Sequence, residues 1–114
     1  MAEHEATLIA YDTDRDQFSS LYERNKFYRG LFGYKQKVKK NGKVYRYEKQ
    51  GLIGRVPNIK VEDSVIIVAD RYVDRFIDYL DDWQGKVDYT TFRVMLDDED
   101  WEQVDRPVKA ADDT

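Results

Sequence analysis

The order of apolar and polar residues predicts two interior strands, each followed by a helix. Residues 6–12 and 64–69 are short runs whose apolar side chains fall on both faces of a strand, which is typical of strands covered on both sides. After the first run, apolar positions recur at helical spacing up to Gly33, a residue that suits a helix C-terminus. After the second run, the same spacing predicts a helix between an N-cap at Asp70 and a stop at Gly85.

Each predicted helix has one apolar stripe. The first helix is expected to begin at Thr13 or Asp14, because both residues can act as N-caps. Its buried stripe is predicted to contain Phe18, Leu21, Tyr22, Asn25, Tyr28, Leu31 and Phe32. The stripe of the second helix is predicted to contain Val73, Phe76, Ile77, Leu80 and Trp83.

The dipeptide Asn41-Gly42 predicts a tight hairpin, because these residues tolerate the positive φ angles of a two-residue type I′ turn. The turn sets the register of the flanking residues 34–40 and 43–49. It pairs Lys40 with Lys43, Val38 with Tyr45, and Gln36 with Tyr47. One face of the hairpin then carries Tyr34, Gln36, Val38, Tyr45 and Tyr47. The other face carries Lys35, Lys37, Lys39, Val44, Arg46 and Glu48.

The remaining segments complete an α+β fold. Residues 51–63 predict an irregular connection with a short strand at 59–61, and residues 87–96 alternate as a final strand. The order strand, helix, hairpin, strand, helix, strand predicts a ferredoxin-like two-layer sandwich, with two helices on one face of a mainly antiparallel sheet. Right-handed crossovers would place the two interior strands side by side and parallel at its centre.

The predicted sheet has apolar residues on both faces. Residues expected to point toward the helices are Leu8, Ala10, Ile66, Val68, Phe92, Val94 and Leu96. Residues expected on the opposite face are Ile9, Tyr11, Val65, Ile67, Tyr89 and Met95. Because large apolar patches are uncommon on the surface of monomers, this second group predicts the interface of a face-to-face homodimer.

Length and composition indicate the class of protein. A chain of 114 residues fits one domain, which we place at residues 1–96. Residues 97–114 are strongly acidic and predict a mobile C-terminal tail, of which Trp101 and Val104 can dock on the domain. No apolar run approaches the ~18 residues that span a membrane, and the chain has neither a secretory apolar region nor a cysteine. These features favour a cytoplasmic protein with no membrane partner.

Charge is segregated along the chain, although the net charge is only −4. Residues 1–23 carry −5 and residues 61–114 carry −10, whereas residues 24–60 carry +11. A positive hairpin with tyrosines suits nucleic acid, because lysine and arginine neutralise phosphates and tyrosine rings stack on bases. The predicted contact residues are Lys35, Lys37, Lys39, Lys40, Lys43 and Arg46. In the alternative interpretations, the lysines protect an edge strand from association, or the basic segment faces acidic parts of its own chain or of a partner subunit.

Catalytic motifs are scarce in the sequence. His4 is the only histidine, which excludes a histidine-based triad, and no glycine-rich phosphate-binding motif occurs. Asp12 and Asp70 are the candidate ligands of a metal, because they would follow adjacent parallel strands and carboxylates suit Mg²⁺. A ferredoxin-like domain with an aspartate after its first strand also resembles small metal-dependent nucleases. Each aspartate serves equally well as a helix cap, so we assign no metal and no cofactor.

The sequence therefore predicts a small non-enzymatic binding module that contacts nucleic acid through a basic hairpin. A homodimeric structural or protein-interaction domain is the second interpretation. A metal-dependent nuclease that uses Asp12 and Asp70 is the third.

Overall fold

The computed structural model describes residues 3–108 and contains a four-stranded antiparallel sheet and a separate two-stranded ribbon. The sheet consists of β1 (His4–Thr13), β4 (Ile59–Glu62), β5 (Val65–Ala69) and β6 (Val87–Leu96), in the spatial order β4-β5-β1-β6. The ribbon consists of β2 (Gly33–Lys40) and β3 (Lys43–Gln50). The α-helices in these residues are α1 (Leu21–Phe32), α2 (Leu52–Arg55), α3 (Val73–Asp81) and α4 (Asp98–Val104). None of them is long and apolar enough to cross a membrane.

The interior strands β1 and β5 are neighbours but run antiparallel. Their register places Ala6 opposite Ala69 and Ala10 opposite Val65. The predicted mixed α+β class is confirmed, whereas the predicted parallel central pair is wrong. The reason is that the hairpin strands leave the sheet, so that β4 takes the edge position beside β5. A two-residue turn at 63–64 then reverses the chain between β4 and β5.

Helix α1 begins later than predicted. Asp14 caps a short 3₁₀ turn, and Ser20 then caps α1 itself. This second start changes the phase of the buried stripe. Phe27, which the predicted stripe omitted, is fully buried, whereas Leu21 and Tyr22 are 68% and 75% exposed.

The main core lies between one face of the sheet and helices α1 and α3. Its fully buried side chains include Ile9, Phe27, Ile66, Phe76 and Leu80. The helix-facing positions predicted in β5, Ile66 and Val68, are confirmed. In β1, however, Ile9 and Tyr11 pack in this core, and Tyr89 of β6 packs against it, so their assignment to a dimer face is wrong. The sequence of a strand with apolar residues on both faces does not show which face packs against the helices. In β1 the face with the larger side chains is the one buried under the helices.

The opposite face of the sheet, called the second face below, is partly covered by α4. Val104 is 0% exposed in a second buried cluster. Its buried partners are Ala6, Ala69 and Leu96. The Trp101 ring stacks on the His4 ring, with centroids 4.9 Å apart. Residues 97–108 are therefore packed on the domain and are not a free tail, which corrects the predicted mobile segment. Residues 109–114 of that segment lie outside the described residues.

Candidate nucleic-acid interface

The turn of the ribbon has the backbone that its sequence requires. Asn41 and Gly42 both adopt positive φ angles, 55° and 77°, as a type I′ turn demands. The predicted register is confirmed throughout the hairpin. Its cross-strand pairs include Lys40 with Lys43, Val38 with Tyr45, and Gln36 with Tyr47. The aromatic face and the basic face are therefore arranged as the turn predicts.

The ribbon projects from the body of the protein into solvent. Each strand has eight residues, which corresponds to about 27 Å of extended chain. Every residue of β3 is exposed, and in β2 only Gly33 and Val38 are half-buried. The molecule measures 59 × 34 × 20 Å, and no third strand pairs with the ribbon in the described residues. Both faces of the ribbon are thus open to a ligand.

The positive charge of the ribbon is not neutralised within the described part of the chain. Residues 33–50 contain seven basic residues and one acid, a net charge of +6. None of these basic side chains forms an ion pair among residues 3–108. Acidic residues of the body pair instead with cations of the body, as in Lys86–Glu23 and Arg71–Asp105. The six predicted contact residues Lys35, Lys37, Lys39, Lys40, Lys43 and Arg46 are all exposed.

Tyrosine rings lie beside these cations. Tyr45 and Tyr47 point to the same face of β3, and Tyr34 lies on that face at the base of the ribbon. The guanidinium of Arg29 in α1 lies over the Tyr34 ring at 5.3 Å from its centroid. This contact joins the base of the ribbon to α1, while Tyr47 remains 56% exposed nearer the tip.

A cleft of about 720 Å³ lies between the base of the ribbon and helices α1, α2 and α3. Its basic lining residues are Lys26, Arg29, Lys49, Arg55 and Arg75. Its other chemically distinctive residues are Tyr22, Tyr34, Asp78, Tyr79, Asp82 and Trp83. Tyr34 and Lys49 belong to both the ribbon and the cleft, so the basic surface is continuous from the turn to the cleft.

Sequence reasoning did not identify this cleft. Four of its five cations lie in the basic segment 24–60, so the charge count was a usable signal for them. Arg75 comes from an acidic part of the chain, and Trp83 was predicted in the buried stripe of the second helix. Trp83 does pack on the core, where its ring meets Phe27 edge-on at 5.4 Å, but it also lines the cleft.

The Tyr79 side chain shapes the floor of the cleft. Its hydroxyl donates a hydrogen bond to the backbone oxygen of Phe27 at 2.6 Å. A Cβ on Gly30 would lie 2.2 Å from that hydroxyl, so any larger residue there would force the Tyr79 ring to move. Burial raises the pKa of the Tyr79 hydroxyl above its ordinary value.

The candidate metal ligands Asp12 and Asp70 lie at opposite ends of the sheet, because β1 and β5 are antiparallel. Asp70 accepts hydrogen bonds from Thr7 Oγ1 at 2.7 Å and Arg93 Nη2 at 2.8 Å. Asp12 is opposite Asp88 in the β1–β6 register. The predicted side-by-side placement is therefore wrong. In the described part of the chain, no group of three or more potential metal ligands is assembled.

The ribbon and the cleft together offer cations, aromatic rings and an enclosed space on one surface. No protein-family model, curated protein or solved structure matches the chain. Chemically, exposed lysines suit polyanions, and exposed tyrosines suit flat aromatic ligands.

Proposed function

We propose that this protein is a non-enzymatic nucleic-acid-binding module whose ribbon contacts the phosphate backbone. One observation carries the proposal: the ribbon has a net charge of +6, is exposed on both faces, and has no ion pair within residues 3–108. When unpaired cations bind phosphates, they displace the counterions that are condensed on the nucleic acid. The release of those counterions drives association. The contact residues are Lys35, Lys37, Lys39, Lys40, Lys43 and Arg46.

The composition of the ribbon favours sequence-independent binding. Five of these six contact residues are lysines, which act as point charges on phosphates and lack the planar fork that arginine uses to read guanine. A two-stranded ribbon can enter a major groove of about 12 Å. Tyr45 and Tyr47 add stacking platforms for unpaired bases. Phosphate contacts therefore supply the affinity, and stacking favours single strands.

The test is a binding titration with an oligonucleotide at several salt concentrations. Six phosphate contacts predict a slope of log affinity against log salt of about −5 on duplex DNA. Replacing Lys35, Lys37 and Lys39 by glutamine should reduce that slope by about 3. The matched control replaces Arg15, Lys60 and Arg106 by glutamine. These three residues lie outside the ribbon, so this variant should retain binding. An affinity that ignores salt, or equal losses in both triple variants, contradicts the proposal.

A second candidate function is homodimerisation through the open part of the second face. Leu8 lies opposite Ile67 on one side and Phe92 on the other, and Ala10 lies opposite Val65. These residues form an apolar strip that α4 leaves uncovered at Phe92, whose side chain is 59% exposed. Two copies of such a strip can pack sheet against sheet about a two-fold axis. This strip keeps Val65 and Ile67 from the predicted dimer face and adds Leu8, Ala10 and Phe92.

Light scattering at increasing protein concentration tests the dimer. Phe92→Lys should convert a dimer to a monomer, because the two-fold axis brings the substituted positions into one interface. Met95→Lys is the control, since Met95 is about equally exposed but pairs with Glu5, away from the strip. A wild-type protein that stays monomeric at all concentrations eliminates this second function.

A further inference from the structure

We propose that the cleft at the base of the ribbon binds a single nucleotide, with its base stacked on aromatic side chains and its phosphate held by the cations. This inference rests on the proposed nucleic-acid binding and extends it, since the nucleotide would belong to the strand that the ribbon holds. Four elements of the fold create the cleft, namely the ribbon base and helices α1, α2 and α3. Its volume of about 720 Å³ falls within the roughly 300–1,000 Å³ of small-molecule sites.

The charges of the cleft favour a phosphate. Five cations face two carboxylates, and none of the five forms an ion pair in the described residues. Arg55, the last residue of α2, lines the cleft, and its buried Nε has no hydrogen-bond partner among residues 3–108. A buried N–H group without a partner is costly, and a phosphate that draws the Arg55 guanidinium further into the cleft would supply the missing acceptor. Arg55 is therefore the central phosphate ligand of the proposal.

The aromatic residues favour a base. Tyr79 is committed to the Phe27 carbonyl, and the Tyr34 ring lies under the Arg29 guanidinium. Tyr22 and Trp83 are therefore the rings available for stacking. Asp78 and Asp82 lie on the α3 side of the cleft and can accept hydrogen bonds from exocyclic amino groups. The cations lie mainly on α1, α2 and the ribbon, with Arg75 as the exception. The two carboxylates and Trp83 thus lie in or just after α3, whereas Tyr22 and most of the cations lie on the other elements.

The charges of the lining residues set the class of ligand. With a net charge of +3 among these residues, the cleft attracts anions. A nucleotide within a strand and a 5′-mononucleotide each present a single phosphate group to the cations. The two sources share the same chemistry and are separated by the probes used below.

Trp83 fluorescence provides a direct readout. The variant Trp101→Phe removes the other tryptophan, which stacks on His4 beside the second face and does not line the cleft. In this background, adenosine 5′-monophosphate should quench Trp83 with saturation. Adenosine alone and inorganic phosphate alone should each bind at least tenfold more weakly, because each supplies half of the contacts. A short single strand should compete with the mononucleotide.

Variants separate the cleft from the ribbon. Arg55→Gln should weaken mononucleotide binding tenfold or more, whereas Arg15→Gln, a matched charge change outside the cleft, should leave it unchanged. Removing the charges of Lys35, Lys37 and Lys39 should reduce strand binding and spare the mononucleotide. If Arg55→Gln fails to fold, Lys26→Gln makes the same test, since Lys26 is exposed, lines the cleft and belongs to α1 instead of the ribbon.

Three results overturn the proposal. If inorganic phosphate alone quenches Trp83 as strongly as adenosine 5′-monophosphate does, the cleft is an anion site that does not recognise a base. Absence of quenching by every small probe, while ribbon-dependent strand binding persists, removes the cleft site and leaves the proposed function standing. Loss of both kinds of binding removes the two proposals together.

Discussion

Gly33 and Gly51 lie against each other where the ribbon leaves the body. A Cβ on Gly51 would come within 2.3 Å of the Gly33 nitrogen, and one on Gly33 within 2.6 Å of the Gly51 nitrogen. Gly33 also has a φ of +86° and ends α1, with its N–H donating to the Arg29 carbonyl. The two backbones therefore meet at a distance that no side chain permits. This crossing sets the direction in which the ribbon projects over the cleft.

Gly51→Ala should destabilise the protein by roughly 1–3 kcal/mol, because the added methyl group meets backbone atoms that cannot move independently. Denaturant unfolding measures the loss. Gly54→Ala is the matched control in the adjoining helix α2, since its nearest neighbour would be 3.7 Å away. It should be neutral or stabilising, as alanine favours helix over glycine. Equal stability of the two variants would show that the crossing tolerates a side chain.

Tyr47→Ala should weaken binding to single-stranded nucleic acid by about 1–3 kcal/mol, the usual contribution of one base stacked on an aromatic ring. Duplex binding should change little, because duplex bases are already stacked. Val44→Ala is the control, since Val44 is equally exposed, at 56%, but lies on the opposite face of the ribbon. Gel-shift or anisotropy titrations with both ligands make the comparison. If Tyr47→Ala weakened duplex binding by the same amount, the ring would not act by stacking on unpaired bases.

Val104→Ala should cost about 2 kcal/mol of stability, because it leaves a cavity under α4 in a site that is fully buried. Thermal unfolding of the full chain measures this loss. Glu102→Ala, an exposed residue of the same helix, should have an effect below about 0.5 kcal/mol. Two variants of equal stability would mean that α4 does not pack on the second face.

The stability of the fold should decline at alkaline pH through Tyr11. Burial raises the pKa of the Tyr11 hydroxyl from 10.0 to about 12, with smaller effects from Tyr28 and Asp63. Because the folded pKa lies above the unfolded value, this stability is complete below pH 10 and is lost as pH rises toward 12. After allowance for screening by solvent, the loss amounts to about 1–2 kcal/mol. The pKa values of Tyr79 and Tyr89 are also raised and add to the decline.

Tyr11→Phe removes this contribution, so its unfolding free energy should fall less than that of the wild type between pH 10 and 12. Denaturant melts at several pH values give the two slopes. The hydroxyl also donates a hydrogen bond to the Asp63 carbonyl at 3.1 Å. Because the variant lacks this bond, its unfolding free energy at neutral pH should be lower than that of the wild type by a constant amount. Parallel curves for the two proteins would contradict the assignment to Tyr11.

Local signals in the sequence determined the ribbon and much of α3 and β6. The pair Asn41-Gly42 specifies a turn through the φ angles that its two residues accept, and the turn then specifies the register of the whole hairpin. The strand at Val87–Leu96 agrees with its predicted bounds. Such features depend on neighbouring residues, whose steric preferences act without help from the rest of the fold.

Tertiary packing decided the direction of β5, the buried face of β1, the phase of α1 and the existence of the cleft. A strand with apolar residues on both faces is consistent with either orientation, and only the helices packed against Ile9 and Tyr11 select one. The cleft joins residues from Tyr22 to Trp83, which become neighbours only when the helices meet the ribbon base. Charge along the sequence determined how positive this surface is, and the close approach of Gly33 and Gly51 determined where that charge is presented.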